Sequence, residues 1–237
     1  IYHKQKKYDL AIKECNRGIA LKKIDPEGAA YCYMNRAAQY IRLREFDKAL
    51  ADYDSAIVLQ PKNPEVYTYR SKFYLTSLKD NQRAIADYTK AIELDKDNPE
   101  MWYYRGVIYK DYLFDEKNAL ADFKKALELD STYVDAINAK ALIYVEQKKY
   151  DLAIKEYDRG IALKEINPEG AAYCYNNRAT QFERLREFDK ALADYDSAIS
   201  LEPQNADRYY NRAWFYYNYK KEYNKSIFDF NKAIELD

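Results

Sequence analysis

Residues 44–57 read REFDKALADYDSAI, and residues 186–199 repeat the same letters. The identity extends in both directions: residues 1–63 align with 143–205 without a gap and share 50 of 63 positions. At the same offset of 142, residues 64–95 match 206–237 more weakly, and both stretches end in KAIELD. A 142-residue unit is therefore duplicated within a chain of 237 residues, so that 1–95 corresponds to 143–237.

A shorter period lies inside that unit. A small residue followed three places later by an acid, and usually by an aromatic at the fourth, recurs at Ala11, Ala49, Ala84, Ala119, Ala153, Ala191 and Ser226. The spacings are 38, 35, 35, 34, 38 and 35 residues. Seven residues beyond each comes a second small residue: Gly18, Ala56, Ala91, Ala126, Gly160, Ala198 and Ala233. Upstream, Tyr or Phe recurs at 40, 74, 109, 144, 182 and 216. Small residues at i and i+7 follow the helical period and open one helix face to a close neighbour.

Composition agrees with a helical chain. Gly 5 and Pro 6 are too few to build the turns of a many-stranded sheet protein. Lysine and arginine (39) balance aspartate and glutamate (39), which removes the electrostatic footprint of a general nucleic-acid binder. No apolar run approaches the ~18 residues of a membrane span. Cys15, Cys32 and Cys174 form neither a disulfide framework nor a metal-ligand spacing, and read as free thiols.

The pattern resembles the tetratricopeptide repeat (TPR) family, whose 34-residue unit is a helix–turn–helix. Residues 99–131 show its signature as Trp102, Gly106, Tyr109, Ala119, Phe123 and Ala126. Residues 30–61 show it as Tyr33, Ala37, Tyr40, Ala49, Tyr53, Ala56 and Pro61. The resemblance implies an all-α, right-handed superhelical solenoid of about seven units. Its expected repeats are 1–25, 26–63, 64–98, 99–133, 134–167, 168–205 and 206–237, forming one domain. In this register the chain opens partway through a first helix and closes on a second. Both ends then offer stacking surfaces, and further repeats or end-to-end packing are the expected cover.

Local punctuation fits the same register. Asp25-Pro26-Glu27, Asn63-Pro64-Glu65, Asn98-Pro99-Glu100 and Asn167-Pro168-Glu169 each supply an N-cap, a proline at the first helical position and a carboxylate at the positive helix end. The 38-residue units carry about one extra turn in the first helix. The units beginning at 64, 99 and 206 carry one extra residue, expected in the loop between their helices.

One departure from the family pattern is systematic. A basic residue replaces the signature leucine at Arg36, Arg70, Arg105, Lys140, Arg178 and Arg212. An ion-pair ladder is expected, each base reaching an acid on the second helix of the preceding repeat. The pairs are Glu14 with Arg36, Asp52 with Arg70, Asp87 with Arg105, Asp122 with Lys140, Glu156 with Arg178, and Asp194 with Arg212.

Asn35, Asn177 and Asn211 each stand directly before a ladder arginine. In TPR proteins the first helices line a concave groove, and the resemblance implies that asparagines here bond the backbone of a bound peptide. An amide offers both a donor and an acceptor, which suits a peptide unit whatever its side chain. The register adds Tyr103, Asn138, Asn176 and Arg184 as candidate groove residues, among others that include Met34, Thr68, Lys72 and Thr180. Tyr210, Trp214 and Tyr217 share one helix face and suit either a ligand or a neighbouring repeat. The family's carboxylate clamp is absent in kind, because Glu65, Glu100, Asp135 and Asp207 stand where its lysine belongs.

Nothing in the sequence calls for catalysis, a cofactor or a metal. His3 is the only histidine, and no glycine-rich phosphate loop is present. The expected function is a non-enzymatic scaffold holding a protein or peptide partner in its groove, with no nucleic-acid or membrane partner. The rival readings are a substrate-docking arm of a larger enzyme and a self-assembly module stacking end to end.

Overall fold

The computed structural model describes the backbone of residues 2–237 and the side chains of residues 7–237. His3 lies outside the described side chains. Thirteen α-helices and no strand occur among the described residues, arranged in two compact units, residues 1–119 and 120–237. The first unit holds α1 (Tyr2–Ala20), α2 (Pro26–Leu43), α3 (Phe46–Leu59), α4 (Pro64–Phe73), α5 (Asn81–Leu94) and α6 (Pro99–Leu113). The division falls within α7 (Glu116–Leu129). The second unit holds α8 (Val134–Glu146), α9 (Tyr150–Ile161), α10 (Pro168–Arg184), α11 (Phe188–Leu201), α12 (Ala206–Phe215) and α13 (Tyr223–Leu236). Each unit is a stack of helical hairpins, α2/α3 and α4/α5 in one, α8/α9, α10/α11 and α12/α13 in the other.

The small residues of the period are what let the hairpins close. Ala49, Ala56, Ala84, Ala91, Ala153, Ala191 and Ala198 are fully buried on the second helices. Tyr53, Tyr88, Tyr157 and Tyr195, four residues after the first of these, fill the space beside them and are buried too. At Gly160 even a methyl group is too much, since a Cβ there would sit 2.2 Å from the Cys174 sulfur on α10. All three cysteines are free thiols, Cys174 buried and the other two half-buried.

The helix starts follow their caps. Asp25 accepts from the Gly28 amide at 2.8 Å, Asn63 from Glu65 at 2.9 Å, Asn98 from Glu100 at 3.0 Å and Asn167 from Gly170 at 2.8 Å. The first helices of the 38-residue units are the longest of their kind, 18 residues in α2 and 17 in α10, against 15 in α6 and 13 in α8. The single extra residue of the other units is not simply a longer loop. At Tyr74–Leu78 and Tyr216–Lys220 the last turn of the first helix widens into a π turn, closed by Asp80 N–H to Tyr74 C=O (3.0 Å) and Glu222 N–H to Tyr216 C=O (3.2 Å). Widening a turn absorbs one residue and keeps Tyr74 and Tyr216 buried.

The basic ladder exists, with its partners shifted from the expected ones. Five of the bases bond the acid of their own hairpin. Arg36 forks onto Asp52 (2.8 and 2.6 Å), Arg70 onto Asp87 (2.8 and 2.7 Å), Arg178 onto Asp194 (2.8 and 2.7 Å) and Arg212 onto Asp229 (2.8 and 2.9 Å). Lys140 donates to Glu156 at 2.7 Å, and not to Asp122. Glu14, expected on Arg36, pairs instead with Arg17 on the exposed surface of its own helix.

Contact with the preceding hairpin is made by the remaining Nη1 group, two residues further along the second helix. Arg70 reaches Asp54 (2.6 Å), Arg212 reaches Asp196 (2.6 Å), Arg105 reaches Thr89 (3.0 Å), Arg178 reaches Asp158, and Arg36 reaches Asn16. The reason is helical geometry: a step of two residues turns about 200°, so Asp52 and Asp54 face opposite neighbours. The equivalent of Asp54 before Lys140 is Lys124, a second cation, which offers Lys140 no acceptor.

The forks are well shielded. The paired acids Asp52, Asp87, Asp194 and Asp229 expose 1–8% of their side chains, while the outer acids Asp54, Asp158 and Asp196 expose 51–54%. Burial works against the charge on Arg70, Arg178 and Arg212, but the carboxylates more than offset it and raise each guanidinium above its ordinary value. Aromatic rings three residues before and four after complete the enclosure: Tyr33 and Tyr40 around Arg36 (5.3 and 5.8 Å), Tyr175 and Phe182 around Arg178 (both 5.5 Å).

Every described turn from a first to a second helix uses a non-glycine residue in the left-handed region: Arg44, Lys79, Phe114, Lys148, Arg186 and Lys221, with φ between 54° and 62°. A side chain there is unfavourable, most of all a bulky one, and Phe114 gains little packing in return at 83% exposure. Phe114→Gly is therefore expected to stabilise the fold by about 0.5–1 kcal/mol in urea unfolding. An unchanged or lowered midpoint would contradict this assignment of strain.

Candidate functional site

In the second unit the first helices α8, α10 and α12 are joined by polar side chains. The Cys174 thiol on α10 donates to Asn138 Oδ1 on α8 at 3.2 Å. Asn211 Nδ2 on α12 donates to Asn176 Oδ1 on α10 at 2.9 Å. Asn138 and Asn176 are 6% and 7% exposed, so both amide oxygens serve the packing between first helices rather than open space. Burial pushes the Cys174 thiol up to about 12, which leaves it protonated and unreactive at neutral pH.

Asn177 is placed differently. It is half-buried, and its Nδ2 group is shielded from solvent without a hydrogen-bond partner. Four residues on, Gln181 donates through Nε2 to the Asn177 carbonyl (3.1 Å) and to Thr180 Oγ1 (2.8 Å), while its Oε1 has no partner. An unpaired donor and an unpaired acceptor thus occupy one turn of α10. Unsatisfied buried polar atoms each cost about 1–3 kcal/mol, so their presence here calls for an explanation. Gln181 escaped the sequence reading, although Asn-Arg-Ala-x-Gln recurs at 35–39 and 177–181. In the first copy Asn35 is exposed, and Gln39 Nε2 bonds its carbonyl at 3.2 Å.

The remaining candidates scatter. Tyr103 on α6 lies edge-on to Tyr104 at 5.2 Å. Arg184 is exposed at the end of α10 with its guanidinium over Tyr150 (5.7 Å). Tyr210, Trp214 and Tyr217 join the aromatic residues of α13: Tyr210 and Trp214 meet Phe230 at 5.8 and 5.6 Å, and Tyr217 meets Tyr223 at 5.7 Å. The equivalent of Trp214 in the first copy is Lys72, whose ammonium sits 4.8 Å over Tyr104 of the next first helix. This face is therefore the one that stacks hairpins. Among the described residues no cluster of His, Cys, Asp and Glu is arranged to hold a metal, and no helix is long and apolar enough to cross a membrane.

Hairpins of this geometry define a helical-repeat protein, and comparison with known proteins names the class. Profiles described as TPR repeat or tetratricopeptide repeat match residues 74–111, 99–133, 134–167, 172–205 and 206–237. The chain belongs to the tetratricopeptide repeat family, and is in general terms a protein-interaction scaffold. Over 56 residues it is 43% identical to the small glutamine-rich tetratricopeptide repeat-containing protein 2 of Saccharomyces cerevisiae, a match covering 24% of this chain and 15% of that protein. A tetratricopeptide repeat protein from Parabacteroides merdae shares the fold at a TM-score of 0.64, with 21% identity over 98% of this chain and 93% of that one. YrrB, described as a TPR protein with an unusual peptide-binding site, aligns at a TM-score of 0.53, with 24% identity over 78% of this chain and 92% of that one.

One carboxylate on α10 offers a test of the side-chain network. Glu183 accepts from the Tyr195 hydroxyl at 2.7 Å, and burial raises its pKa above the usual carboxylate range. The folded state then holds this proton more tightly than the unfolded state. Its contribution to stability is full below the unfolded pKa and is lost as pH rises through the folded one. Glu183→Gln keeps an acceptor for Tyr195 and should raise the melting temperature at pH 7, with the gain shrinking as pH falls into the carboxylate range. A pH-independent difference would contradict the shift.

Proposed function

We propose that the polar turn of α10 around Asn177, with Asn211 beside it on α12, binds the backbone of an extended peptide from a partner protein. The observation that supports this reading is the unpaired Asn177 Nδ2 on a half-buried side chain. Rotation of this half-buried side chain brings the amide out to a carbonyl of a bound peptide, which supplies the missing acceptor, and the amide reads no side chain in doing so. Asn35 repeats the position in the first copy on an exposed side chain, which makes it a second and weaker point of contact. The helices are held by the buried forks before a ligand arrives, and this lowers the ordering cost of binding. The peptide-binding site in the name of YrrB belongs to that protein; the similarity of fold makes the same kind of ligand a reasonable one to test here.

The test is a random-peptide display selection on the chain and on Asn177→Ala. A motif enriched on the parent should bind the variant about tenfold more weakly, since one hydrogen bond is worth about 1 kcal/mol and its loss leaves a peptide carbonyl unpaired. Circular dichroism should be unchanged. Equal affinity for both proteins would remove Asn177 from the site and this reading with it.

A further inference from the structure

The junction between α1 and α2 departs from its copy at two adjacent positions. Aligned at the offset of 142, Cys15 stands where the second copy has Tyr157, and Asn16 where it has Asp158. Every other repeat carries a ring at the first of these places, as Tyr53, Tyr88, Phe123, Tyr195 and Phe230. Tyr157 is fully buried in a cluster with Val134, Ala141 and Cys174. Asp158 gives Arg178 a charged acceptor, whereas Arg36 meets the neutral amide oxygen of Asn16. The α1–α2 junction is therefore built with a smaller side chain and one charge fewer than its counterpart.

What it has instead is a second thiol. Cys32 on α2 corresponds to Cys174, and its sulfur rests directly on α1, because a Cβ at Gly18 would sit 2.2 Å from it. Cys15 precedes Gly18 by three residues and shares its helix face. Burial raises the pKa of the Cys15 thiol, and Cys32 raises it further, so the two sulfurs are near enough to feel one another's charge. A disulfide joins Cα atoms about 4.4–6.8 Å apart, and a glycine in the contact favours so close an approach of two helices. Both cysteines are free and half-buried. Cys174 differs: it lies in the other unit, fully buried, with its thiol donated to Asn138 and its pKa pushed up to about 12.

We propose that Cys15 and Cys32 are a redox pair, which a low-molecular-weight disulfide such as oxidised glutathione converts into a covalent bond between α1 and α2. One thiolate of the pair attacks a sulfur of the small disulfide, whose S–S bond breaks, and one small thiol leaves as a mixed disulfide forms on the protein. The second cysteine gives up its proton, attacks the protein sulfur of that mixed disulfide and expels the other small thiol. Two electrons and two protons pass to the small disulfide, and two thiols on the chain are exchanged for two in solution. The bond closes the chain from residue 15 to residue 32 and secures the junction that the second copy secures with a ring and a carboxylate. It involves no residue of the polar turn at Asn177.

The experiment equilibrates the full chain in buffers of reduced and oxidised glutathione, quenches it with an alkylating agent and weighs it intact. Oxidation should remove two hydrogens per chain with no glutathione retained, and trypsin should release fragments 14–17 and 24–36 as one linked species. Cys174 should remain alkylated. The oxidised chain should melt at a higher temperature than the reduced one. Cys15→Ser should abolish both the link and the gain, whereas Cys174→Ser should keep both, with circular dichroism checking each fold. Retained glutathione on the parent, a link through Cys174 or to a second chain, or two thiols that stay open to alkylation in oxidised buffer would each overturn the pair. An unchanged melting temperature after the link forms would overturn its role at the junction.

Discussion

Each arginine fork ties three helices with one side chain. Two N–H groups are spent on a buried carboxylate across the hairpin, and a third reaches back to the hairpin before it. The constraint is geometric before it is energetic. A guanidinium is planar with fixed donor directions, so it accepts the two second helices only when both are in register. Removing such a charge pair from water costs much of what the pairing returns, and a buried pair of this kind contributes more to register than to net stability. The small residues beside it bring the helices close enough for the fork to close. The rings at i−3 and i+4 keep water from competing for it.

Much of this was legible in the chain. The period of small residues, the caps at Asp25, Asn63, Asn98 and Asn167, and the extra turn in α2 and α10 all follow from local rules that act within a few residues. The ladder was legible in its bases and its acids but not in its pairing. Asp52 and Asp54 are two letters apart and face different helices, and only the rotation of the folded helix decides which one Arg36 meets. The π turns were missed for a related reason. An extra residue looks the same in a sequence whether it lengthens a loop or widens a turn, and the burial of Tyr74 and Tyr216 is what selects the second.

The candidate site was legible only in part. Asn138 and Asn176 carry the amide chemistry that suits a ligand, yet their oxygens are taken by Cys174 and Asn211 across the stack. Nothing in a linear pattern separates an amide facing a partner from one facing a neighbouring helix. What does separate the two copies is substitution. Met34, Ala38 and Ile41 become Asn176, Thr180 and Glu183 on α10, while Lys72, Leu75 and Asn81 become Trp214, Tyr217 and Tyr223 on the following hairpin and the turn after it. The scaffold residues, including Arg36 and Arg178 with their acids, are retained through the same duplication. One backbone design therefore presents a more polar first-helix face and a more aromatic stacking face in its second copy.

The central claim is that the fork within a hairpin sets the register and the reach to the preceding hairpin follows from it. A double-mutant cycle on Arg178 measures both contacts in one protein. Coupling of Arg178 with Asp194, which is buried, should exceed about 1.5 kcal/mol, and coupling with Asp158, which is half exposed, should stay below about 1 kcal/mol. The reverse order, or a negligible coupling to Asp194, would contradict the account.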